Sequence, residues 1–222
     1  MTTAEEFVPP GWSQCLLRDL CPSIQGGPRQ RPEDKGRTQA GGGVPVVLPG
    51  DLRGGRIYSE DPTAVPAVAW EYARTLVKHE LAEGDILLTR TGTVGRCALV
   101  TPEHAGWLFH PNLVRLRLPE GGPADAAFLA ACLSATAAQN WIKTRTAGAV
   151  IPSLSIRALG ELPVLLPPAT EQARIGATLA ALDDKIRAHT EIARTTRLYR
   201  EALADALLNG ILPVEPGSAA FE

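Results

Sequence analysis

From Thr170 to Asn209 the chain contains no proline and a single glycine, Gly176. Apolar or small residues recur there at Ile175, Leu179, Leu182, Ile186, Ala193, Tyr199, Leu203 and Leu207, at roughly helical spacing with a weak middle. Thr170 is placed to act as the N-cap, and Gly210, with Pro213 behind it, to end the helix. A helix of that length extends about 60 Å at the usual rise per residue. The domain formed by the preceding residues is narrower than that, so it cannot cover the whole apolar stripe. The helix is therefore expected to pair with another helix, from a second copy or from a different protein. A kinked helix folding back on its own domain is the alternative. The organisation expected is a domain over 11–168, the long helix over 169–210, and flexible ends at 1–10 and 211–222.

Before the helix, short apolar runs alternate with turn signals. "GWSQCLLRDLCPSI" brings Trp12, Leu16, Leu17 and Leu20 near one face and predicts a strand or short helix closing on Pro22. "QGGPRQRPEDKGRTQAGGG" is a loop long enough to be functional or without fixed structure. "VPVVLPGDLRGGRIY" predicts a strand, a turn at Pro49-Gly50-Asp51 and another strand. In "DPTAVPAVAWEYARTLVKHEL" a helix is expected over the second half, after Pro66. "WLFHPNLVRLRL" predicts one strand, with Val114, Leu116 and Leu118 alternating against Arg115 and Arg117. "PADAAFLAACLSATAAQNWIKT" predicts a helix with Pro123 at its start, and "LPVLLPP" a strand stopped by Pro167-Pro168.

With 45% hydrophobic and 21% charged residues, the chain reads as a globular protein rather than a disordered one. No run approaches the length of a membrane span, and the acidic, polar start is no secretory signal. Four cysteines without a C-x-x-C pair, and four scattered histidines, argue for reduced thiols in a cytoplasm and against a zinc site. The net charge of −2 opposes nucleic-acid binding by bulk electrostatics. Its distribution is more informative. Between Asp85 and Glu103 there is no acid but there are Arg90 and Arg96, and between Asp125 and Glu161 no acid but Lys143, Arg145 and Arg157. Gly26 to Thr38 carries Arg29, Arg31, Lys35 and Arg37 against Glu33 and Asp34. These basic loops either converge on a phosphate backbone or are ordinary solvated surface.

"GDILLTRTGTVGR" runs an apolar strand into a basic, hydroxyl-rich turn. It has neither the lysine and hydroxyl of a P-loop nor a G-x-G-x-x-G, and it leads into a second strand rather than a helix. The turn is thus a hairpin tip that touches DNA or a plain turn. No methyltransferase motif, nuclease constellation or G-x-S-x-G stands elsewhere, and no histidine stands near Ser153 or Ser155 in sequence. No catalysis is expected of this chain.

Three stretches in this order resemble one half of the specificity subunit of type I restriction-modification systems: "GWSQCLLRDLC", "GDILLTRTGTVGRCALV" and "AGAVIPSLSIRALGELPVLLPPATEQARIGATLAALDDKI". The last is the most specific, with its Ser-Leu-Ser turn, strand ending in Leu-Pro-Pro, and Glu-Gln opening the helix. The resemblance covers roughly residues 11–209. It implies an α+β fold: a mixed-sheet target recognition domain followed by a long C-terminal α-helix that pairs as an antiparallel coiled coil. Where the common subunit holds two recognition domains and two helices, this chain has one of each, which implies a homodimer through Ile175, Leu179, Leu182, Ile186, Ala193, Tyr199, Leu203 and Leu207. The function implied is recognition of double-stranded DNA, with a methyltransferase subunit and, in systems that cut, a restriction translocase as partners. S-adenosylmethionine and ATP are expected only in those partners, and no cofactor or metal here. The DNA-binding residues expected are Arg29, Arg31, Lys35, Arg37, Arg90, Thr91, Gly92, Thr93, Arg96, Lys143, Arg145, Thr146 and Ser153. The rival reading is a protein-interaction or regulatory subunit of a phage-defence complex that does not read DNA.

Overall fold

A computed structural model describes residues 8–29, 37–38, 42–58 and 65–212. In chain order the elements are β1 (Ser13–Leu16), α1 (Leu17–Leu20), β2 (Ser23–Gly26), β3 (Arg37–Thr38), β4 (Gly43–Val47), β5 (Leu52–Arg53), β6 (Gly55–Ile57), β7 (Ala67–Ala69) and α2 (Trp70–Ala73). A 3-10 segment, Arg74–His79, continues α2. Then come β8 (Ile86–Thr89), β9 (Cys97–Leu99), β10 (Leu108–Phe109), β11 (Leu113–Arg117), α3 (Ala126–Ser134), α4 (Thr136–Thr146), α5 (Ile156–Gly160), β12 (Pro163–Leu166) and α6 (Ala169–Leu208). The chain divides into two units, 1–180 and 181–222. The termini expected to be flexible fall mostly outside the described residues.

Among the described residues three sheets form, ordered β2-β11-β8-β9-β6-β5, β10-β4-β7-β3 and β1-β12. Two pairs are parallel, β10 with β4 and β6 with β9, and the rest are antiparallel. The fold is therefore α+β with mixed sheets, followed by a long helix. Strand β8 is buried along its whole length because both faces of its sheet are covered. Ile86 and Leu88 join Leu17, Val114, Leu129, Leu133, Ile142 and Leu159 in the core under the helices. Leu87, between them, points into a second cluster with Val47, Leu52, Phe109 and Leu113.

The alternation read in "WLFHPNLVRLRL" holds, with Val114 and Leu116 in the first cluster, but the second cover buries the opposite face as well. The stretch forms two strands, β10 and β11, and Arg115 is not a solvent-facing residue but 4% exposed. It shares the face of Leu113, and its guanidinium carbon lies 5.9 Å from the centre of the Phe109 ring. Its Nη1 donates to the carbonyls of Glu80 (2.7 Å) and Lys78 (3.3 Å), and its Nη2 to Gln25 Oε1 at 2.6 Å. Asp85, 1% exposed, takes a bidentate pair of bonds from Arg117 at 2.6 Å each and lies 4.0 Å from Arg115 Nε. Asp85 bonding holds the Arg117 guanidinium above its ordinary pKa, whereas burial, then Arg117, lower that of Arg115.

Two further expectations change. "VPVVLPGDLRGGRIY" holds three strands, because Gly54 and Gly55 adopt φ of 56° and 76° and turn β5 back on β6. The alanine-rich helix is two helices broken at Ala135, which is extended (φ −69°, ψ 152°). Gln139 stabilises the break by donating to the Leu133 carbonyl at 2.6 Å. Asp125, not the proline, caps α3, accepting from Phe128 N.

Helix α6 starts at Ala169, so Thr170 sits in its first turn rather than capping it. Gln172 ties this start down: its Oε1 accepts from Asp125 N, and its Nε2 donates to the carbonyls of Pro123 and Pro167, all within 2.9 Å. The lone glycine has a packing reason. A Cβ at Gly176 would stand 3.1 Å from Phe128 N, so a side chain here would push α6 a few tenths of an ångström off the start of α3. At the far end Gly210 (φ 69°) reverses the chain, and Ile211 N donates back to the Ala206 carbonyl at 2.9 Å.

Candidate nucleic-acid interface

The turn between β8 and β9 is held from inside by one buried hydroxyl. Thr89 Oγ1 donates to the Thr93 carbonyl (2.5 Å) and accepts from Arg96 N (2.9 Å). Gly92 (φ 81°) and Gly95 (φ 97°) supply left-handed backbone, and a Cβ at Gly95 would lie 2.8 Å from Gln139 Oε1. Thr91, Gly92 and Thr93 are consequently presented on the surface by a loop with little freedom of its own.

A second loop is laced to this turn. Gly92 N donates to the Pro152 carbonyl (3.0 Å), Leu154 N to the Arg90 carbonyl (2.8 Å), and Thr91 forms a β-bridge with Ser153. Two acid-free stretches separated by some sixty residues of sequence thus become neighbours. Lys143, Arg145 and Thr146 lie in the last turn of α4, which leads into the second loop. The Arg145 guanidinium carbon stands 3.9 Å from the centre of the Trp141 ring, which orients that cation. Thr146 is engaged locally, donating to the carbonyls of Ile142 and Lys143.

The turn also separates its own two arginines. Arg96 lines a cleft of about 620 Å³ with Arg53, Gly54, Gly55 and Gln139. Arg90 lines another, of about 580 Å³, with Arg29, Tyr72, Thr75, Lys78 and His79. Of the remaining expected residues, Arg37 belongs to β3, and Arg31 and Lys35 lie outside the described residues. Sequence reasoning missed Tyr72, Thr75, Lys78 and Arg53. Tyr72, Thr75 and Lys78 lie between Glu71 and Glu80, and Arg53 between Asp51 and Glu60, acid-free runs too short to stand out, and the packing that puts them beside Arg90 and Arg96 is long-range.

The four thiols are shifted away from the reactive thiolate. Burial pushes Cys21 and Cys97 up to about 12 and Cys132 to about 11, and raises Cys15 with help from Asp19. Burial, then Lys78 and Arg115, lower the pKa of His79, and burial lowers that of His104. Among the described residues no group of three His, Cys, Asp or Glu could hold a metal ion, and no helix is long and apolar enough to cross a membrane.

Comparison with known proteins finds relatives of one kind. A family profile described as "Type I restriction modification DNA specificity domain" matches residues 9–195. The type I restriction enzyme EcoEI specificity subunit of Escherichia coli is 26% identical over 141 residues, which are 60% of this chain and 24% of that protein. The HsdS subunit from Thermoanaerobacter tengcongensis superposes with a TM-score of 0.60 at 20% identity, over 100% of this chain and 54% of that one. The type I restriction-modification S subunit from M. genitalium gives a TM-score of 0.60 at 17% identity, over 93% of this chain and 47% of that one. The chain thus spans about half the length of these solved subunits and a quarter of the curated relative.

Proposed function

The chain belongs to the type I restriction modification DNA specificity family, and from that premise we propose that it reads double-stranded DNA by sequence and directs a methyltransferase subunit to the site. The observation that carries this reading is the lacing of the 90–96 turn to the 143–153 loop, both free of acids. Backbone amides, threonine hydroxyls and arginines at such a surface bond phosphates and base edges. Residues 11–168 form the recognition domain, and the helix over 169–210 pairs antiparallel with that of a second copy. A two-fold pair of this kind reads two inverted half-sites around a fixed spacer. Bond making is left to the partners: a methyltransferase using S-adenosylmethionine and, where the system cuts, a translocase using ATP. The setting is the cytoplasm, which the free cysteines suit.

Reconstitution tests it. With a cognate methyltransferase and S-adenosylmethionine, the chain is expected to direct methyl transfer to one bipartite sequence, and alone to transfer nothing. Alanine at Arg90 and Arg96, or at Lys143 and Arg145, should weaken DNA binding without loss of fold. Each lost phosphate contact flattens the salt dependence by about one unit of slope, and each lost base contact costs about 1–3 kcal/mol and relaxes one position. If all four variants bind the cognate site as the unaltered complex does, these loops are not the DNA face. A complex that methylates nothing in a sequence-dependent way supports the rival, a subunit that only joins proteins.

The helix gives a separate expectation. Shortening it by one turn removes about 5.4 Å of length, and base pairs stack about 3.4 Å apart. Methylome sequencing should then show a changed spacer with unchanged half-site letters. Altered letters at a fixed spacer would mean that the helix is not the ruler.

A further inference from the structure

The cleft that holds Arg90 has a floor without side chains and a wall without acids. Its floor is Gly26-Gly27 at the end of β2. A Cβ at Gly26 would lie 3.3 Å from Arg90 Nη1, and one at Gly27 only 2.4 Å from the His110 carbonyl oxygen. Glycine at 26 therefore lets the Arg90 guanidinium lie across the floor, and glycine at 27 lets that floor pack directly on the His110 backbone. The wall is the segment Arg74–His79, which contributes Thr75 and Lys78, and Arg29 stands at the rim. Among the described residues no carboxylate pairs with Arg90, Lys78 or Arg29, and none of the residues lining the cleft is acidic. Arg90 Nε is buried with no hydrogen-bond partner, a donor whose requirement the protein itself leaves unmet.

The cleft is also built to keep its shape. Arg115, beneath it, binds the carbonyls of Lys78 and Glu80 on the wall and Gln25 on the floor strand, joining the two. The cleft around Arg96 lacks this character. Its second cation, Arg53, is already spent on the Gly50 carbonyl at 2.9 Å and on the Tyr58 ring.

We infer that the cleft between Gly26-Gly27 and the Arg74–His79 segment seats one phosphate of the DNA backbone, gripped by Arg90 in its depth and by Lys78 and Arg29 at its rim. A guanidinium fork matches two phosphate oxygens, and three cations lining one cleft attract the anion. The cleft's size suits a phosphate with its sugar rather than a whole duplex groove. This inference rests on the DNA-reading function proposed above, and it adds Lys78 and the 74–79 segment to the contact surface.

The test uses the full complex with its methyltransferase partner on a cognate duplex carrying single neutral methylphosphonates, one position at a time. The unaltered complex should lose affinity at one backbone position, and the Lys78→Ala and Arg29→Ala complexes should each lose less there. Both variants should show a salt slope shallower by about 0.9 per lost contact, with the methylated sequence letters unchanged. Lys78 and Arg29 are exposed, so their removal leaves the fold intact, and Arg90→Lys tests the fork separately. Titration with inorganic phosphate covers the other source of this chemistry. If free phosphate binds the cleft while both variants keep the parent salt slope and methylphosphonate profile, the cleft is an anion site unrelated to DNA and the inference falls. If the unaltered complex binds no DNA, the proposed function fails first.

Discussion

A chain carrying Leu182→Asp and Ile186→Asp is expected to sediment as a monomer at micromolar concentration, where the unaltered chain sediments as a dimer. Leu182 is 52% exposed and Ile186 63% exposed, one turn apart on α6. Ile192, Leu198, Tyr199 and Leu207 are exposed further along the same helix. In a monomer the new carboxylates are solvated and disturb nothing, so helical content by circular dichroism should hold. In a paired helix each sits in an apolar seam without a partner, and the pair carries four of them. Burying one unpaired charge costs several kcal/mol or forces its protonation, so four exceed what a seam of this length returns. Light scattering of the unaltered chain is the decisive control. A monomeric mass at micromolar concentration would remove the homodimer and leave the stripe to a different protein.

Asp85→Asn should cost about 3–5 kcal/mol, the range for removing one partner of a buried ion pair. A domain of this size is stable by only about 5–15 kcal/mol. The substitution keeps the shape, and the side-chain oxygen can still accept from Ala82 N, which Asp85 Oδ2 does at 2.8 Å. What is lost is the negative charge facing two guanidiniums. Arg117, 39% exposed at its side chain, can turn to solvent, whereas Arg115, at 4%, cannot. Urea unfolding should show a lower midpoint with the slope retained. Adding Arg115→Met to Asp85→Asn should recover part of the loss, because the stranded charge goes with it. A double variant no better than Asp85→Asn alone would show that the cost lies in Arg117 or in the Ala82 bond.

The same buried group marks where reading the sequence stops. Alternation set Arg115 on the face opposite Val114 and Leu116, and periodicity reports which side chains share a face of a strand, not whether that face is covered. The cover comes from Phe109 and Val47, far away in sequence or across a turn. The long helix was legible because what makes it is local: no proline, apolar spacing, and Gly210 as its stop. Gly176 looked like a blemish in it, and only its approach to Phe128 explains it. The break at Ala135 escaped notice for a related reason. Alanine-rich sequence favours one helix, and the bend is held by Gln139 reaching the Leu133 and Gly95 carbonyls.

For the candidate interface the division is the same. The residues of the 90–96 turn, its glycines and its missing acids could be read directly, since turn chemistry and charge are written in neighbouring positions. So could the absence of any motif for catalysis. By itself the sequence determined the secondary elements with strong local signals, the long unpartnered helix and the family. The tertiary structure alone decided that Ser153 bridges Thr91, that Arg90 and Arg96 face different clefts, and that Lys78 stands with Arg90 over Gly26. Those pairings join segments tens of residues apart. They arise from sheet order and from the burial of Arg115, which no local pattern encodes.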